Sequence, residues 1–164
     1  MKSKLVIVIL IISIVALSGC IQSDVGKIND LSSKINQNLK NGDNYYNKAA
    51  NDINIYSLDS AATNCDNALS EFKQAKSSAD QGLQYAENTN DSVFINYMKY
   101  SIAEIELRIN ATQELKEAVP LLELKNNTTG NLHVTLANQL MEQSLEYKNK
   151  KDNLVKNNPA KFKS

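Results

Sequence analysis

From Ile28 onward apolar and small residues recur at steps of three and four: Ile28, Leu31, Ile35, Leu39, Gly42, Tyr45 or Tyr46, Ala49, Ile53 and Tyr56. That spacing keeps one helical stripe facing a neighbour and predicts a helix over 23–54. A second stripe, Leu58, Ala61 or Ala62, Cys65, Ala68 or Leu69, Phe72, Ala75, Ala79, Leu83 and Ala86, predicts a helix over 57–88, with Ser57 or Asp59 as its cap. The polar run Asn88 to Ser92 interrupts the pattern, and Asp91 or Ser92 starts the next helix. Its stripe is Phe94, Met98, Ile102, Ile105, Ile109, Thr112, Leu115 and Val119, over 91–119, with Pro120 as a kink or an end. Lys125 to Asn131 reads as the clearest loop. A fourth stripe, Leu132, Leu136, Leu140, Met141, Tyr147, Leu154 and Val155, predicts a helix over 131–156 that Asn157-Asn158-Pro159 ends.

Four long helices joined by short connections run alternately up and down. The expected fold is all-α, either an up-and-down four-helix bundle or two stacked long helical hairpins. Composition agrees, because 5 Gly and 2 Pro in 164 residues are too few for the tight turns of a sandwich or barrel. Asn is abundant and a poor helix former, so packing must hold these helices rather than propensity.

Ahead of the first stripe lies a different pattern. Lys2 and Lys4 precede an apolar run from Leu5 to Leu17, broken only by Ser13 and ending in Leu17-Ser18-Gly19-Cys20. The run is short for a membrane span and stops at small residues, which reads as a secretory signal over 1–19. Leu-Ser-Gly-Cys at 17–20 resembles a bacterial or archaeal lipobox, and the resemblance implies that Cys20 receives lipid and becomes the new amino terminus. The mature part is then a domain over 20–158, anchored on the extracytoplasmic face of the cell membrane, with a basic tail over 159–164. Two long chains on one Cys hold a protein stably, where a single chain is marginal.

Gly42, Tyr45, Ala61, Cys65, Ala68 and Leu69 are similar to the small-and-aromatic pattern of a tetratricopeptide hairpin. Cys65 stands where that pattern has an aromatic, and the hairpin-ending Pro is missing. The layout as a whole resembles the Asn-rich, helical surface lipoproteins of methanogenic archaea. That likeness rests on the lipobox, on Gly42 to Ala49, on Glu106 to Thr112 and on the Asn-Asn-Pro close. It implies a location and a fold, and no activity.

Equal numbers of basic and acidic residues, 18 each, remove the electrostatic footprint of a nucleic-acid binder. His133 is the only imidazole, and with Gly130 three residues before it there is no Glu-x-x-His metal motif. No Cys-x-x-Cys, Gly-x-Ser-x-Gly or phosphate-cradling glycine loop occurs. No cofactor and no catalytic centre are expected, and the remaining alternative is an enzyme whose residues converge only in three dimensions. With Cys20 lipidated, Cys65 is the remaining thiol, at a core position. Glu104, Glu106, Glu114, Glu117 and Glu123, interspersed with Arg108 and Lys116, read as a solvated face with local ion pairs.

Seven tyrosines exceed what one stripe can bury, which suits recognition of a protein or glycan partner in a groove between hairpins. Asn127, Asn126, Asn90 and Asn110 head glycosylation sequons, no more than chance supplies, with Asn127 the most accessible. From Tyr147 to Ser164 six lysines stand against Asp152 alone. An even number of helices returns this end to the side of Cys20, so Lys156, Lys161 and Lys163 are candidates for contact with anionic headgroups. The expectation is a lipid-anchored surface protein acting as a non-catalytic binding or scaffold module, of unassigned oligomeric state.

Overall fold

The computed structural model describes the backbone of residues 2–162 and the side chains of residues 24–162. The Cys20 side chain and Lys163 lie outside these. Among the described residues the elements are α1 (Lys2–Asn54), α2 (Leu58–Thr89), α3 (Ser92–Glu123) and α4 (Asn127–Asn157), with no strand. Over residues 24–162, whose side chains are described, no helix is long and apolar enough to cross a membrane.

The turns after α1 and α3 are built alike. Tyr56, at φ 59°, donates its N–H to Ile53 O (3.0 Å), and Ser57 donates to Asp52 O (2.8 Å). Lys125, at φ 57°, donates to Leu122 O (2.9 Å), and Asn126 donates to Leu121 O (2.8 Å). This double bond satisfies carbonyls that a helix end leaves orphaned, and it needs a left-handed residue that glycine usually supplies. Here Tyr56 takes the position, and its hydroxyl donates to the carbonyl of Leu122, tying the two turns together. The α2–α3 turn uses Asn90 at φ 53°, followed by Asp91, whose carboxylate accepts from Val93 N–H (2.9 Å).

Besides α1, which starts at Lys2 rather than at 23, two boundaries differ from the sequence pattern. α3 runs through Pro120 to Glu123, and the Pro120 carbonyl accepts from Leu124 N–H (3.1 Å). α4 begins at Asn127, so most of the Lys125–Asn131 run is helical, capped by the Asn126 carboxamide. Gly130 serves close approach there rather than a turn: a β-carbon would lie 2.7 Å from Leu122 Cδ2.

Packing is heptad-like. α1 buries Ile28, Ser32, Ile35, Leu39, Gly42, Tyr46, Ala49 and Ile53, alternating steps of four and three. α2 answers with Ala61, Cys65, Ala68, Phe72, Ala75, Ala79, Gly82 and Ala86, so small side chains let its neighbours come close. Gly82, not Leu83, sits on this seam because Met98 fills the space a β-carbon would need. Tyr56 is exposed rather than on the α1 seam.

α3 is the central helix, buried along two flanks: Phe94, Ser101, Arg108, Leu115 and Leu122 on one, Met98, Ile105, Thr112 and Val119 on the other. α4 buries only Gly130, Ala137, Ser144 and Lys151, each seven residues from the last. Of its expected apolar stripe, Leu140, Met141, Leu154 and Val155 pack against the core while Leu132 and Leu136 are exposed, because α4 rests on one helix and buries only a narrow stripe fully. Consecutive helices pack in up-and-down order, forming a helical bundle of two stacked hairpins. α1 and α4 do not pack directly on one another, and that side stays open. The chain end folds back so that Phe162 meets Phe94 edge-on (5.5 Å between ring centres) and Tyr97 (5.1 Å).

Candidate functional site

The open side is a groove with three walls. α1 supplies Asn29, Ser33, Asn36, Lys40, Asp43 and Asn44; α4 supplies Lys148, Lys151, Asp152, Val155 and Lys156. α3 forms the floor with Tyr97, Glu104 and Arg108. Two adjoining hollows of about 630 and 500 Å³ share Asn36, Lys151 and Asp152, so the depression is continuous. Hollows of similar size on the outer faces, beside Tyr147 and beside Lys73, are lined by no buried charge.

Four charges from three helices meet at the floor. Arg108, 4% exposed, donates from Nη2 to Glu104 Oε1 (2.9 Å), and its Nη1 pairs with Asp43. Lys151 Nζ donates to Glu104 Oε2 (2.7 Å), with both side chains buried. Both Glu104 oxygens are thus held by cations. The Arg108 Nε–H is buried and has no partner among the described residues. Burial pushes the Asp43 carboxyl above its ordinary value, against the pull of Arg108.

This corrects the reading of Glu104 and Arg108 as part of a solvated face. Their spacing held a clue: Tyr97, Ser101, Glu104 and Arg108 continue the four-three alternation along a second α3 stripe, which α4 covers. Lys151 was equally hidden within a run of surface lysines, although it falls seven residues after Ser144.

Tyrosines do not line the groove as a set. Tyr97 reaches its floor while 4% exposed, and Tyr147 lies in an outer hollow between α3 and α4. Tyr46 is buried against α2 with its hydroxyl unpartnered, pushed up to about 12 by burial. Cys65 is fully buried, and burial, with the nearby Asp66 charge, pushes its thiol up to about 12, which makes it unreactive. His133 is half-buried, its Nδ1 2.7 Å from Glu114 Oε2. Among the described residues no His, Cys, Asp and Glu group gathers as a metal site.

Of the sequon residues, Asn127 is exposed in the first turn of α4 rather than in a loop, and Asn126 uses its carboxamide as the cap. Asn90 is exposed at the left-handed turn, and Asn110 is exposed midway along α3. Lys156 is exposed on the groove rim. Lys161 pairs with Asp91 and lies 5.7 Å from the centre of the Phe94 ring. Comparison with family models, with curated proteins and with solved structures gave no match.

Proposed function

We propose that this chain is a lipid-anchored, extracytoplasmic binding module, tethered through Cys20, whose ligand site is the groove between α1 and α4. One observation carries the reading: Asp43, Glu104, Arg108 and Lys151 are drawn together under an opening to solvent. Sinking charges costs several kcal/mol per ion, which pairing only partly returns, and apolar residues in their place would hold the helices at least as well. Such a cluster beneath a cleft is therefore read as serving recognition. Glu104 is saturated by two cations and Asp43 is bonded to Arg108, which suits positioning and binding better than proton transfer.

Anchoring rests on the Leu17-Ser18-Gly19-Cys20 lipobox after a basic start and an apolar run. The α2–α3 turn and the chain end share the end of the bundle that carries Asn29 of α1, so this reading puts Lys156 and Lys161 toward the membrane.

A photoreactive residue placed at exposed Ser33, inside the groove, should give adducts in the native cells, whereas the same residue at exposed Gln74 on α2 should not. Equal labelling at both positions, or none at Ser33, would overturn the groove. Cys20→Ser should release or misprocess the protein, and unchanged processing with unchanged membrane retention would overturn the anchor.

A further inference from the structure

We infer that the groove receives an extended, acidic peptide segment of about seven residues, its backbone held by the Asn29, Asn36 and Asn44 carboxamides and its carboxylate by Arg108 and Lys151. This deepens the reading of the groove as a ligand site and rests on it.

The first argument is unused hydrogen-bonding capacity. Asn41 of α1 donates to Glu71 of α2, and Asn64 of α2 donates to Asp52 of α1, so these two asparagines at the α1–α2 contact are spent on internal bonds. The carboxamides of Asn29, Asn36 and Asn44 have no partner among the described residues and face the groove. A carboxamide offers a donor and an acceptor together, the complement of a peptide group. Asn29 and Asn36 are seven residues apart and Asn36 and Asn44 eight, rises of about 10.5 and 12 Å that roughly match three and four residues of a polyproline-II chain at about 3.1 Å each. From Asn29 to Asn44 the wall is about 22 Å long at 1.5 Å per residue, which sets the length of the segment.

Charge gives the second argument. Lys40, Arg108, Lys148, Lys151 and Lys156 outnumber Asp43, Glu104 and Asp152 along the groove. Lys40 is exposed and has no ion-pair partner among the described residues. At the floor the buried Arg108 Nε–H is a donor without an acceptor, and a carboxylate is the group that best suits a guanidinium edge. A saccharide fits less well. The two aromatic rings that line the hollow are spent on one another rather than set out as a platform: Tyr97 is almost fully covered, and half-buried Phe162 packs against Tyr97 and Phe94.

The test uses the full-length lipoprotein in detergent micelles. The probes are three pools of acetylated, amidated heptapeptides with Glu, Gln or Lys fixed at the centre and the other positions randomised; trigalacturonate serves as a carboxylated saccharide. The Glu pool should be retained at least tenfold over the Gln and Lys pools. Lys40→Glu should cut that retention about tenfold with an unchanged melting curve, because the side chain is exposed and unpaired. Asn36→Leu should weaken the Glu and Gln pools alike.

Equal retention of the three pools, no retention of any, or indifference to Lys40→Glu would each sink the proposal. Binding of trigalacturonate without peptide would also sink it while leaving the groove a ligand site. Failure of the groove itself is read separately, from the Ser33 adducts.

Discussion

α1 shows two contrasting surfaces. Toward α2 it presents Gly42, Tyr46, Ala49 and Ile53, set against Ala61, Cys65, Ala68 and Phe72 with no charge between them. Toward α4 it presents Asn29, Asn36, Lys40 and Asp43 across a gap whose floor holds buried charges. The dry seam is the arrangement that hydrophobic burial and close packing favour. The charged groove is one that stability alone would not select, since its ions give up hydration. Side chains that hold the fold and side chains that line the proposed site thus lie on the same helix, separated by about a third of a turn.

The contrast is broken most severely at Phe72, the largest fully buried side chain of the dry seam. Phe72→Ala should cost about 3–5 kcal/mol in urea unfolding, through lost burial and a cavity that rigid helices cannot close. Binding in the groove should survive in whatever fraction stays folded. A loss below about 1 kcal/mol would mean that the seam is loosely packed.

The groove should respond in a different way. Arg108→Leu leaves Glu104 with Lys151 alone and Asp43 unpaired, and should cost about 3 kcal/mol, as removing one member of a buried ion network does. Replacing Glu104, Arg108 and Lys151 together by leucine, with Asp43→Asn so that no carboxylate is left unpaired, should restore stability to within about 1 kcal/mol of the parent or better, while abolishing ligand binding. If this combined variant is less stable than Arg108→Leu, the cluster is a structural staple, and the distinction between the two faces of α1 collapses.

A smaller effect sharpens the dry side. Gly42→Ala removes a helix penalty of about 1 kcal/mol. Its β-carbon, however, would fall 2.6 Å from Phe72 Cδ1, against a ring that is fully buried. Overpacking costs about 1–3 kcal/mol, so the variant should be less stable by about 1 kcal/mol net. In a Phe72→Leu background the same change should be neutral or stabilising.

These residues also show what the amino-acid pattern could reveal. The α1 and α2 seams were legible because nearly every inward position is apolar or small, so burial and periodicity coincide. The second α3 stripe was not, since Ser101, Glu104 and Arg108 look like surface residues and are covered only because α4 docks there. α4 was legible in part: Leu140, Met141, Leu154 and Val155 of its apolar stripe do pack against the core, but Leu132 and Leu136 do not, and its most buried positions are the glycine, alanine, serine and lysine at every seventh position. Its start was hidden because a run of Asn, Thr and Gly is also a loop signal, and only contact with Leu122 shows why Gly130 belongs in a helix. The groove depends on which helices fail to touch, and no local pattern encodes that.

The finest comparison concerns the protonation of Asp43, at the groove edge. Burial raises its carboxyl above 3.8, with Arg108 pulling the other way. The folded protein therefore binds this proton more tightly than the unfolded chain. The Asp43 contribution is full below pH 3.8 and is lost as pH rises through the folded value. Asp91 has the opposite sign. Burial works to raise it, but hydrogen bonds from Lys161 and from Val93 N–H hold it below 3.8, so its contribution is present at higher pH and lost on acidification. The two partly cancel in the intact protein, and a variant is needed to separate them. Asp43→Asn keeps an acceptor for Arg108 and cannot ionise, so its melting temperature relative to the parent should rise between pH 4 and pH 7, by no more than about 2 °C. A relative fall over that interval would mean that attraction to Arg108 outweighs burial, and that the groove holds its charges more comfortably than an open ligand site should.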